Sequence, residues 1–364
     1  MSTTNNNTSN ASSIVSKVWA FWQTLRDDGV GYYLEQLTYL LFLKMAHEYT
    51  LPPHSRKMPI PKEYNWESLI NKSGAELELH YNILLRELAK QKGILGQIFI
   101  KSQNKIQDPA KLYKLISLIN AENWILMGVK DKGDIYEGLL EKNAEDTKSG
   151  AGQYFTPRPL IKAMVECLQP EPMKIIADPA CGTGGFFLAA YDWIGMHRDF
   201  DKEGKKFLKY ETFFGNEIVA STRRLALMNL FLHNIGDIDS DNFISPADAL
   251  IASSPTTYDY ILANPPFGKK SSMTFTNEEG EQEKEDLTYN RSDFWITTSN
   301  KQLNFVQHIR TMLKTTGKAA VVLPDNVLFE GGVGETVRKK FRNNRVTYNL
   351  TFANGNILCQ LCKS

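Results

Sequence analysis

Residues 178–186 read D-P-A-C-G-T-G-G-F, and this stretch decides the fold of the second half of the chain. An apolar run at residues 174–177 predicts a strand that ends at Asp178, and a helix is predicted over residues 186–193. Glycine lets the backbone turn tightly and approach a ligand closely. The N-terminus of the following helix offers free N–H groups and the positive end of a dipole. A strand, a glycine turn and a helix in this order predict a site for a nucleotide-like cofactor.

The spacing of the glycines and the position of Asp178 narrow the type of cofactor. A pyrophosphate site requires three glycines in the pattern G-x-G-x-x-G, which this turn lacks. Asp178 instead places a carboxylate just before the turn, where it would hold an ammonium group. S-adenosylmethionine carries such a group and no phosphate, so the sequence predicts this molecule as the cofactor.

The rest of the second half alternates between strand and helix patterns. Strands are predicted at residues 174–177, 211–216, 258–263 and 317–323, and helices at 186–193, 221–233 and 305–315. This alternation predicts an α/β domain with a doubly wound, mostly parallel, Rossmann-like sheet. In such sheets ligands bind beyond the carboxyl ends of the strands. Residues 277–286, N-E-E-G-E-Q-E-K-E-D, interrupt the alternation, and we expect them to form a solvated, mobile loop.

Two further acidic residues follow predicted strands or turns. Glu217 comes directly after the strand at 211–216, a position from which an acidic residue typically accepts from ribose hydroxyls. Asp248 could accept from the adenine amino group of the same cofactor. An acidic residue at a strand end is otherwise a helix cap or a surface charge. The series Asp178, Glu217 and Asp248 nevertheless favours a cofactor site.

The string Asn264-Pro265-Pro266-Phe267 ends the strand predicted at 258–263. The Asn264 amide and the Pro265 carbonyl could both accept hydrogen bonds from an exocyclic amino group and so align its nitrogen with a methyl donor. Phe267 could stack on the ring, and the two prolines stiffen the turn. Alone, N-P-P is an ordinary strand-ending turn. Behind a cofactor turn of this kind it predicts methyl transfer to a nucleobase nitrogen, and a base in duplex DNA must then flip out.

The first part of the chain predicts a separate helical domain. Apolar residues recur at helical spacing from Val18 onward, and further helices are expected over residues 75–92 and 109–120. The predicted divisions are a disordered tail at 1–13, a helical domain at 14–130, a linker with a helix at 131–152, a methyltransferase domain at 153–347 and a tail at 348–364.

Composition limits the classes of protein to which the chain could belong. The net charge is +1, so any DNA-binding surface must be local or come from a partner. The four cysteines form no disulfide framework, and Cys359-x-x-Cys362 lacks the second pair of a zinc site, so we expect no metal. The most apolar stretch, residues 37–46, is far shorter than the ~20 residues of a membrane span. We therefore expect a cytoplasmic protein with no membrane association, and a buried helix at 37–46.

Several motifs together resemble one family. Residues 18–22, V-W-A-F-W, through 41–44, L-F-L-K, are similar to the helical N-terminal domain of the modification (M) subunits of type I restriction–modification systems. Residues 153–158, Q-Y-F-T-P-R, are similar to their motif upstream of the cofactor turn, and residues 178–186 and 264–267 to their cofactor and catalytic motifs. This motif order is that of the gamma class of adenine-N6 DNA methyltransferases.

The resemblance implies a set of residue functions. Cofactor contacts are implied for Tyr154, Phe155, Thr156, Asp178, Ala180, Gly182, Thr183, Gly184, Glu217 and Asp248. Catalytic contacts with the target adenine are implied for Asn264, Pro265, Pro266 and Phe267.

The resemblance also implies partners: DNA, a specificity (S) subunit, a second M subunit and a restriction (R) subunit. Two other functions remain open from the sequence. One is a stand-alone adenine methyltransferase, which would need a target-recognition domain of its own. The other is a truncated, non-catalytic remnant that only binds partners.

The C-terminal residues depart from the family pattern. The family continues with a strand and a Leu-Pro-x-Gly element, whereas this chain reads Y-N-L-T-F-A-N-G-N-I-L-C at residues 348–359. Codons for this stretch, read one base later, can spell I-I-L-R-L-P-T-G-I-F-Y-A. We therefore expect a frameshift near residues 342–348, an aberrant tail at 348–364, a sheet without its last strands, and weak or no activity. Cys359 and Cys362 would then be encoded by codons read out of frame and would have no function.

Overall fold

A computed structural model describes residue 16 and residues 33–52, 55–122, 137–138, 140, 156–238, 243–266, 272–276, 282–286, 289–324, 326–343, 346–353 and 356–363. The chain divides into two compact units. The first comprises Met1–Gly152 and Ser221–Asn242, and the second Gln153–Ala220 and Phe243–Ser364. Residues 221–242 thus group with the first unit, whereas the sequence predicts them within 153–347. The linker at 131–152 and the tail at 1–13 fall almost wholly outside the described residues.

The first unit is helical in its described part. Its helices are α1 (Tyr33–Thr50), α2 (Trp66–Ile70), α3 (Gly74–Leu88), α4 (Gly93–Phe99), α5 (Pro109–Ala121) and, from the later segment, α9 (Ala220–Leu232); a 3-10 turn spans Lys62–Tyr64. The helices predicted over 75–92, 109–120 and 221–233 are therefore confirmed. None of the helices in the described part of the chain is long and apolar enough to cross a lipid bilayer.

Helix α1 is the centre of the first unit. Every residue from 37 to 46 is buried, as the apolar sequence of this stretch predicts. A helix that is hydrophobic on all sides is stable only inside a core. The positive charge of the buried Lys44 is paired, because its Nζ lies 2.8 Å from Glu48 Oε1. The same Nζ donates to Asn120 Oδ1 at 3.3 Å. Trp66 Nε1 donates to the same Asn120 oxygen at 2.9 Å, so α1, α2 and α5 share one polar contact.

Helix α9 packs on α1 through aromatic rings. The Phe231 ring centroid lies 5.3 Å from that of Phe42 and 5.8 Å from that of Tyr49. The buried Tyr49 hydroxyl donates to the Leu232 carbonyl at 3.1 Å. These contacts explain why residues after 220 group with the helical unit.

The second unit contains a seven-stranded sheet. Its strands are β1 (Ile176–Asp178), β2 (Phe213–Asn216), β3 (Ile244–Ser245), β4 (Tyr258–Ala263), β7 (Leu313–Leu323), β8 (Val346–Ala353) and β9 (Asn356–Lys363). Their order is β3-β2-β1-β4-β7-β9-β8, and the first five are mutually parallel. The predicted α/β class with a mostly parallel, doubly wound sheet is confirmed. The order reverses direction between β1 and β4, which is where such sheets bind ligands.

The helices of the second unit cover this sheet and its end. They are α6 (Arg158–Leu168), α7 (Gly185–His197), α8 (Lys202–Tyr210), α10 (Lys301–Met312), α11 (Asn326–Phe329) and α12 (Val333–Asn343). A buried apolar cluster joins β4, β7, α10 and α12, with Ile261, Ile309 and Val321 fully excluded from solvent. Helix α7 matches the sequence pattern. Helix α10 confirms the predicted helix over residues 305–312, whereas residues 313–315, also predicted as helix, belong to β7. Helices α6, α8 and α12 were not predicted, although α6 places its buried residues Ile161, Met164, Val165 and Leu168 at helical spacing.

The acidic stretch at 277–286 differs in part from the expected loop. Strands β5 (Ser272–Thr276) and β6 (Gln282–Asp286) pair antiparallel as a separate two-stranded sheet. Five consecutive backbone pairs join them, from Ser272 with Asp286 to Thr276 with Gln282. The prediction of a loop over residues 282–286 was wrong, since backbone pairing overrides the low strand propensity of Glu, Lys and Asp.

The last strands of the sheet are present, contrary to the expectation from the sequence. Strand β9 pairs antiparallel with β7, from Lys318 opposite Cys362 to Leu323 opposite Ile357. Strand β8 pairs antiparallel with β9 and so runs parallel to β7. The signal lies in the sequence, because residues 346–352, V-T-Y-N-L-T-F, alternate apolar and polar side chains. The free backbone edge of β7 gives β9 its hydrogen-bond partners, and β9 in turn gives them to β8.

One buried cation in the first unit carries an unusual number of contacts. Arg224 on α9 forms an ion pair with Glu35, and its side chain is 5% exposed. Its Nη2 donates to the Ile100 carbonyl at 2.6 Å, and its guanidinium lies 5.4 Å from the Tyr39 ring centroid. Burial lowers the pKa of Arg224 to about 10, so the side chain stays charged near neutral pH.

We predict that Arg224→Ala lowers the free energy of unfolding by about 3 kcal/mol, because it leaves a partly buried carboxylate without its partner. Urea unfolding of the whole chain would measure this. Arg86→Ala, at an exposed position on α3, is the matched control and should change stability by less than about 0.5 kcal/mol. Equal effects of the two substitutions would contradict the prediction.

Candidate functional site

The sheet register brings the predicted site residues to one edge. Ala177 of β1 lies opposite Phe214 of β2 and Ile261 of β4, and Asn216 of β2 lies opposite Ser245 of β3. Because these strands are parallel, their carboxyl ends meet at the same edge of the sheet. Asp178, Glu217, Asp248 and Asn264 each lie at or just after one of these ends.

The turn after β1 has the left-handed backbone conformation that its glycines permit. Gly182 and Gly184 have φ angles of +55° and +83°, in the left-handed region that glycine enters without steric cost. Gly184 is the residue before α7, and its N–H donates to the Cys181 carbonyl at 2.9 Å. The Cys181 N–H in turn donates to the Asn216 carbonyl at 2.9 Å, which ties the turn to β2.

Asp178 is a buried carboxyl group at the end of β1. It is 1% exposed, and its Oδ1 accepts from the Ala180 N–H at 2.9 Å. The pKa of Asp178 is raised to about 8, mainly by burial and in part by the nearby Glu217, against the lowering effect of the Ala180 N–H. A buried carboxylate is stabilised by a cation. The site is therefore suited to receive a positively charged group beside Asp178.

Glu217 links the two neighbouring strands at this edge. Its Oε2 accepts from the Gly182 N–H at 3.2 Å, and its Oε1 accepts from the Val219 N–H at 2.7 Å. Its own N–H donates to the Ser245 carbonyl at 3.0 Å. Each carboxylate oxygen has two acceptor positions. Glu217 can therefore hold the glycine turn and still accept from a hydroxyl of a ligand.

Asp248 follows β3 and is also held on both oxygens. Its Oδ1 accepts from the Leu250 N–H at 2.9 Å, and its Oδ2 accepts from the Tyr289 hydroxyl at 2.9 Å. The Asn216 amide donates to the neighbouring Ala247 carbonyl at 3.3 Å. The loop that carries Asp248 is thus joined both to β2 and to residues after the β5–β6 hairpin.

The turn that holds the predicted catalytic residues begins at Asn264, directly after β4. The Asn264 Nδ2 donates to Thr156 Oγ1 at 3.0 Å. Its Oδ1 is buried and has no hydrogen-bond partner among the described residues. An unpaired buried carbonyl oxygen costs free energy unless a donor reaches it. Pro265 is buried and Pro266 is half-buried, which leaves the turn little freedom.

Two residues of this region were missed in the sequence. Tyr289 holds Asp248, and Arg291 lies nearby with its Nη1 3.4 Å from the carbonyl oxygens of both Ala249 and Leu250. Neither residue belongs to a recognisable motif, and their partners lie about 40 positions away in the sequence. Only the fold brings them together.

The remaining predicted residues complete the description of the site. Ala180 packs at half-burial against the apolar cluster that contains Tyr289, and Thr183 is half-buried at the start of the turn into α7. Tyr154, Phe155 and Phe267 lie outside the described residues. Over the described part of the chain, no group of three or more His, Cys, Asp or Glu side chains could hold a metal ion.

The assembled site presents mainly hydrogen-bond acceptors. Asp178, Glu217, Asp248 and the Asn264 carbonyl all accept hydrogen bonds, and Asp178 also favours a cation. Such a set complements a ligand that presents an ammonium group, hydroxyl groups and amino groups. The positive φ angles of the turn let its backbone N–H groups come close to the same ligand.

Two family models match the chain. Residues 129–353 match the N-6 DNA Methylase family, and residues 14–119 match the HsdM N-terminal domain. The chain is 38% identical over 344 residues to the StySPI methylase subunit of Salmonella potsdam and 38% identical over 345 residues to the EcoKI methylase subunit of Escherichia coli K12. Both are subunits of type I restriction enzymes. Each alignment covers 91% of this chain and 61% of the relative, so the chain spans less than two thirds of the length of these proteins.

Solved structures agree on the fold. A chain from a study of complex assembly and conformational transition in the type I restriction–modification system superposes with a TM-score of 0.74 at 24% identity, covering 96% of this chain and 74% of that one. The type I methyltransferase subunit from Streptococcus thermophilus superposes with a TM-score of 0.72 at 19% identity, covering 97% and 85%. The predicted family is confirmed: the chain belongs to the N-6 DNA methylase family and is similar to type I methylase subunits over most of its length.

Proposed function

We propose that this chain transfers a methyl group from S-adenosylmethionine to N6 of adenine in DNA, as the modification subunit of a type I restriction–modification complex. The buried, unpaired Oδ1 of Asn264 carries the proposal. This oxygen needs a donor, and it stands at the carboxyl edge of a sheet whose other side chains suit a cationic nucleoside. The family membership supports the same reaction.

The target base would be held by the Asn264 turn. Asn264 Oδ1 and the Pro265 carbonyl would accept the two hydrogens of the adenine amino group. The hydrogen bond from Asn264 Nδ2 to Thr156 keeps the amide nitrogen occupied and leaves the oxygen for the base. Phe267 would stack on the ring. A duplex base reaches this turn only when it flips out of the stack.

Rate acceleration in this arrangement comes mainly from alignment. With both amino hydrogens held, the nitrogen lone pair is directed along one line, and orientation of this kind lowers the barrier substantially. The amino nitrogen would form a bond to the methyl carbon as the bond from that carbon to the sulfonium sulfur breaks. S-adenosylhomocysteine would leave as the neutral thioether, and the amino nitrogen would release one proton to solvent. The neutral Asn264 amide does not need to take up that proton.

The cofactor side of the site would use the three acidic residues. S-adenosylmethionine, when bound, supplies a methyl group on a sulfonium. The buried carboxylate of Asp178 fits its ammonium group, Glu217 can accept from the ribose hydroxyls, and Asp248 can accept from the adenine amino group. The turn residues Ala180, Gly182, Thr183 and Gly184, with Tyr154, Phe155 and Thr156, would form the remaining contacts.

The proposed partners are DNA, an S subunit, a second M subunit and an R subunit, and the proposed compartment is the cytoplasm. Similarity to type I methylase subunits supports these partners. The net charge of +1 supports a division of labour in which another subunit supplies part of the DNA-binding surface.

We predict that Asn264→Ala lowers methyl transfer by about 100-fold or more, because the target nitrogen loses its alignment. Transfer of a labelled methyl group to duplex DNA, with the cognate S subunit present, measures this. Binding of S-adenosylmethionine, followed by calorimetry, should stay within about twofold of wild type because Asn264 does not hold the cofactor.

Asn290→Ala, at an exposed asparagine in the same unit, is the matched control and should leave both quantities unchanged. An equal loss of cofactor binding in Asn264→Ala would contradict the division of functions. Methylation by the wild-type chain without S would indicate a stand-alone enzyme. Absence of methylation with S present would indicate a chain that only binds partners.

A second prediction concerns pH. Burial raises the pKa of Asp178 to about 8, so the free site is protonated near neutral pH, whereas an ammonium group favours the ionised form. Cofactor binding should therefore release a proton, and affinity should rise as the pH increases from about 6 to about 8, by at most about tenfold per pH unit. Calorimetry at about pH 7, in two buffers of different ionisation enthalpy, measures the released proton.

Asp178→Asn keeps the acceptor for the Ala180 N–H but cannot ionise, so proton release should disappear and affinity should fall. Asp199→Asn, at an exposed carboxylate in the same unit, should behave as wild type. The same proton release from Asp178→Asn as from wild type would contradict the assignment of Asp178 as the ammonium partner.

A further inference from the structure

The carboxylate of Asp248 is fixed from a segment that follows the β5–β6 hairpin. Tyr289 donates its hydroxyl proton to Asp248 Oδ2 at 2.9 Å, while the Leu250 N–H occupies one position on Oδ1. A carboxylate with a donor on each oxygen cannot rotate freely. Within the described ranges of the chain, one acceptor position on each oxygen remains open, in a direction set by these two donors.

The backbone that carries Asp248 is held from the same segment. Arg291 Nη1 lies 3.4 Å from the carbonyl oxygens of both Ala249 and Leu250, the two residues after Asp248. The guanidinium is itself fixed, because its Nε and Nη2 donate to the two oxygens of Asp293 at 2.9 and 2.5 Å.

Burial restricts the positions that the side chains of Arg291 and Tyr289 can take. Arg291 is 8% exposed, and its Nη1 also donates to Nδ1 of His308 at 3.0 Å, which requires a neutral imidazole. Burial lowers the pKa of His308 to about 3, with Arg291 acting in the same direction. Tyr289 belongs to a buried apolar cluster with Leu250, Phe294 and Phe305. The packing of this cluster holds the Tyr289 ring in one orientation, from which its hydroxyl contacts Asp248.

We propose that Tyr289 is a positioning residue for the purine end of the cofactor: its hydroxyl fixes the Asp248 carboxylate so that an open acceptor position faces the 6-amino group. The inference rests on the proposed function and extends it to Tyr289, which contacts Asp248 and not the cofactor itself. Selectivity for an amino-bearing purine then depends on the hydroxyl of Tyr289. Because the Asp248 carboxylate is already fixed before the ligand binds, less side-chain entropy is lost on binding.

The test compares two ligands in one variant. Tyr289→Phe keeps the buried ring and removes only the hydroxyl. Calorimetry on the full chain would measure Kd for S-adenosylhomocysteine and for an analogue in which hydrogen replaces the 6-amino group. We expect Tyr289→Phe to raise Kd for the first by about three- to tenfold, the range for one hydrogen bond, and to change Kd for the second by less than about twofold.

Two further variants sharpen the result. Tyr258→Phe removes a hydroxyl from another buried tyrosine of the second unit. Tyr258 lies at the start of β4, at the opposite end of the strand from Asn264, so this change should alter Kd for neither ligand. In an Asp248→Ala background, Tyr289→Phe should cause no additional loss, since the group it positions is gone.

The outcomes separate this inference from the proposed function. A wild-type chain that binds neither ligand would overturn both. A wild-type chain that binds S-adenosylhomocysteine, with a Tyr289→Phe variant that weakens both ligands equally or neither, would overturn the positioning of Asp248 by Tyr289 and leave the proposed function standing.

Discussion

Backbone hydrogen bonds hold β1 between two parallel neighbours, with Ala177 opposite Phe214 on one side and Ile261 on the other. This alignment places the ends of β1, β2, β3 and β4 at one edge. The side chains that follow these ends come from positions as far apart as 178 and 264, and the register of the strands brings them together. Every proposed contact with cofactor or base depends on that register, since a shift of one residue would turn the ends to other faces.

The site also depends on polar groups that the fold leaves incompletely satisfied. The Asp178 carboxyl is buried with a raised pKa, and Asn264 Oδ1 is buried with no partner among the described residues. Both conditions cost stability in the free protein. A ligand that offers an ammonium group and an amino group relieves both, so binding energy is concentrated at these two positions.

Much of this arrangement could be read from the sequence, for physical reasons. The glycine turn, the acidic residues after the strands and the Asn264 turn are local signals, each set by a few neighbouring residues. Tyr289 and Arg291 could not be found in that way, because their partners are distant in the sequence. Strands β8 and β9 are a different case. Residues 346–352 of β8 alternate apolar and polar side chains and so do predict a strand, although the residues around them depart from the family pattern.

The β5–β6 hairpin lies in the chain between two fixed points, the Asn264 turn and Tyr289. The cost of closing a loop rises slowly with its length, by about 0.6 kcal/mol for each doubling. Insertions and deletions between residues 267 and 288 are therefore inexpensive, provided that both ends keep their places. This segment can change in length and composition through evolution while the positions of Asn264 and Asp248 stay constant.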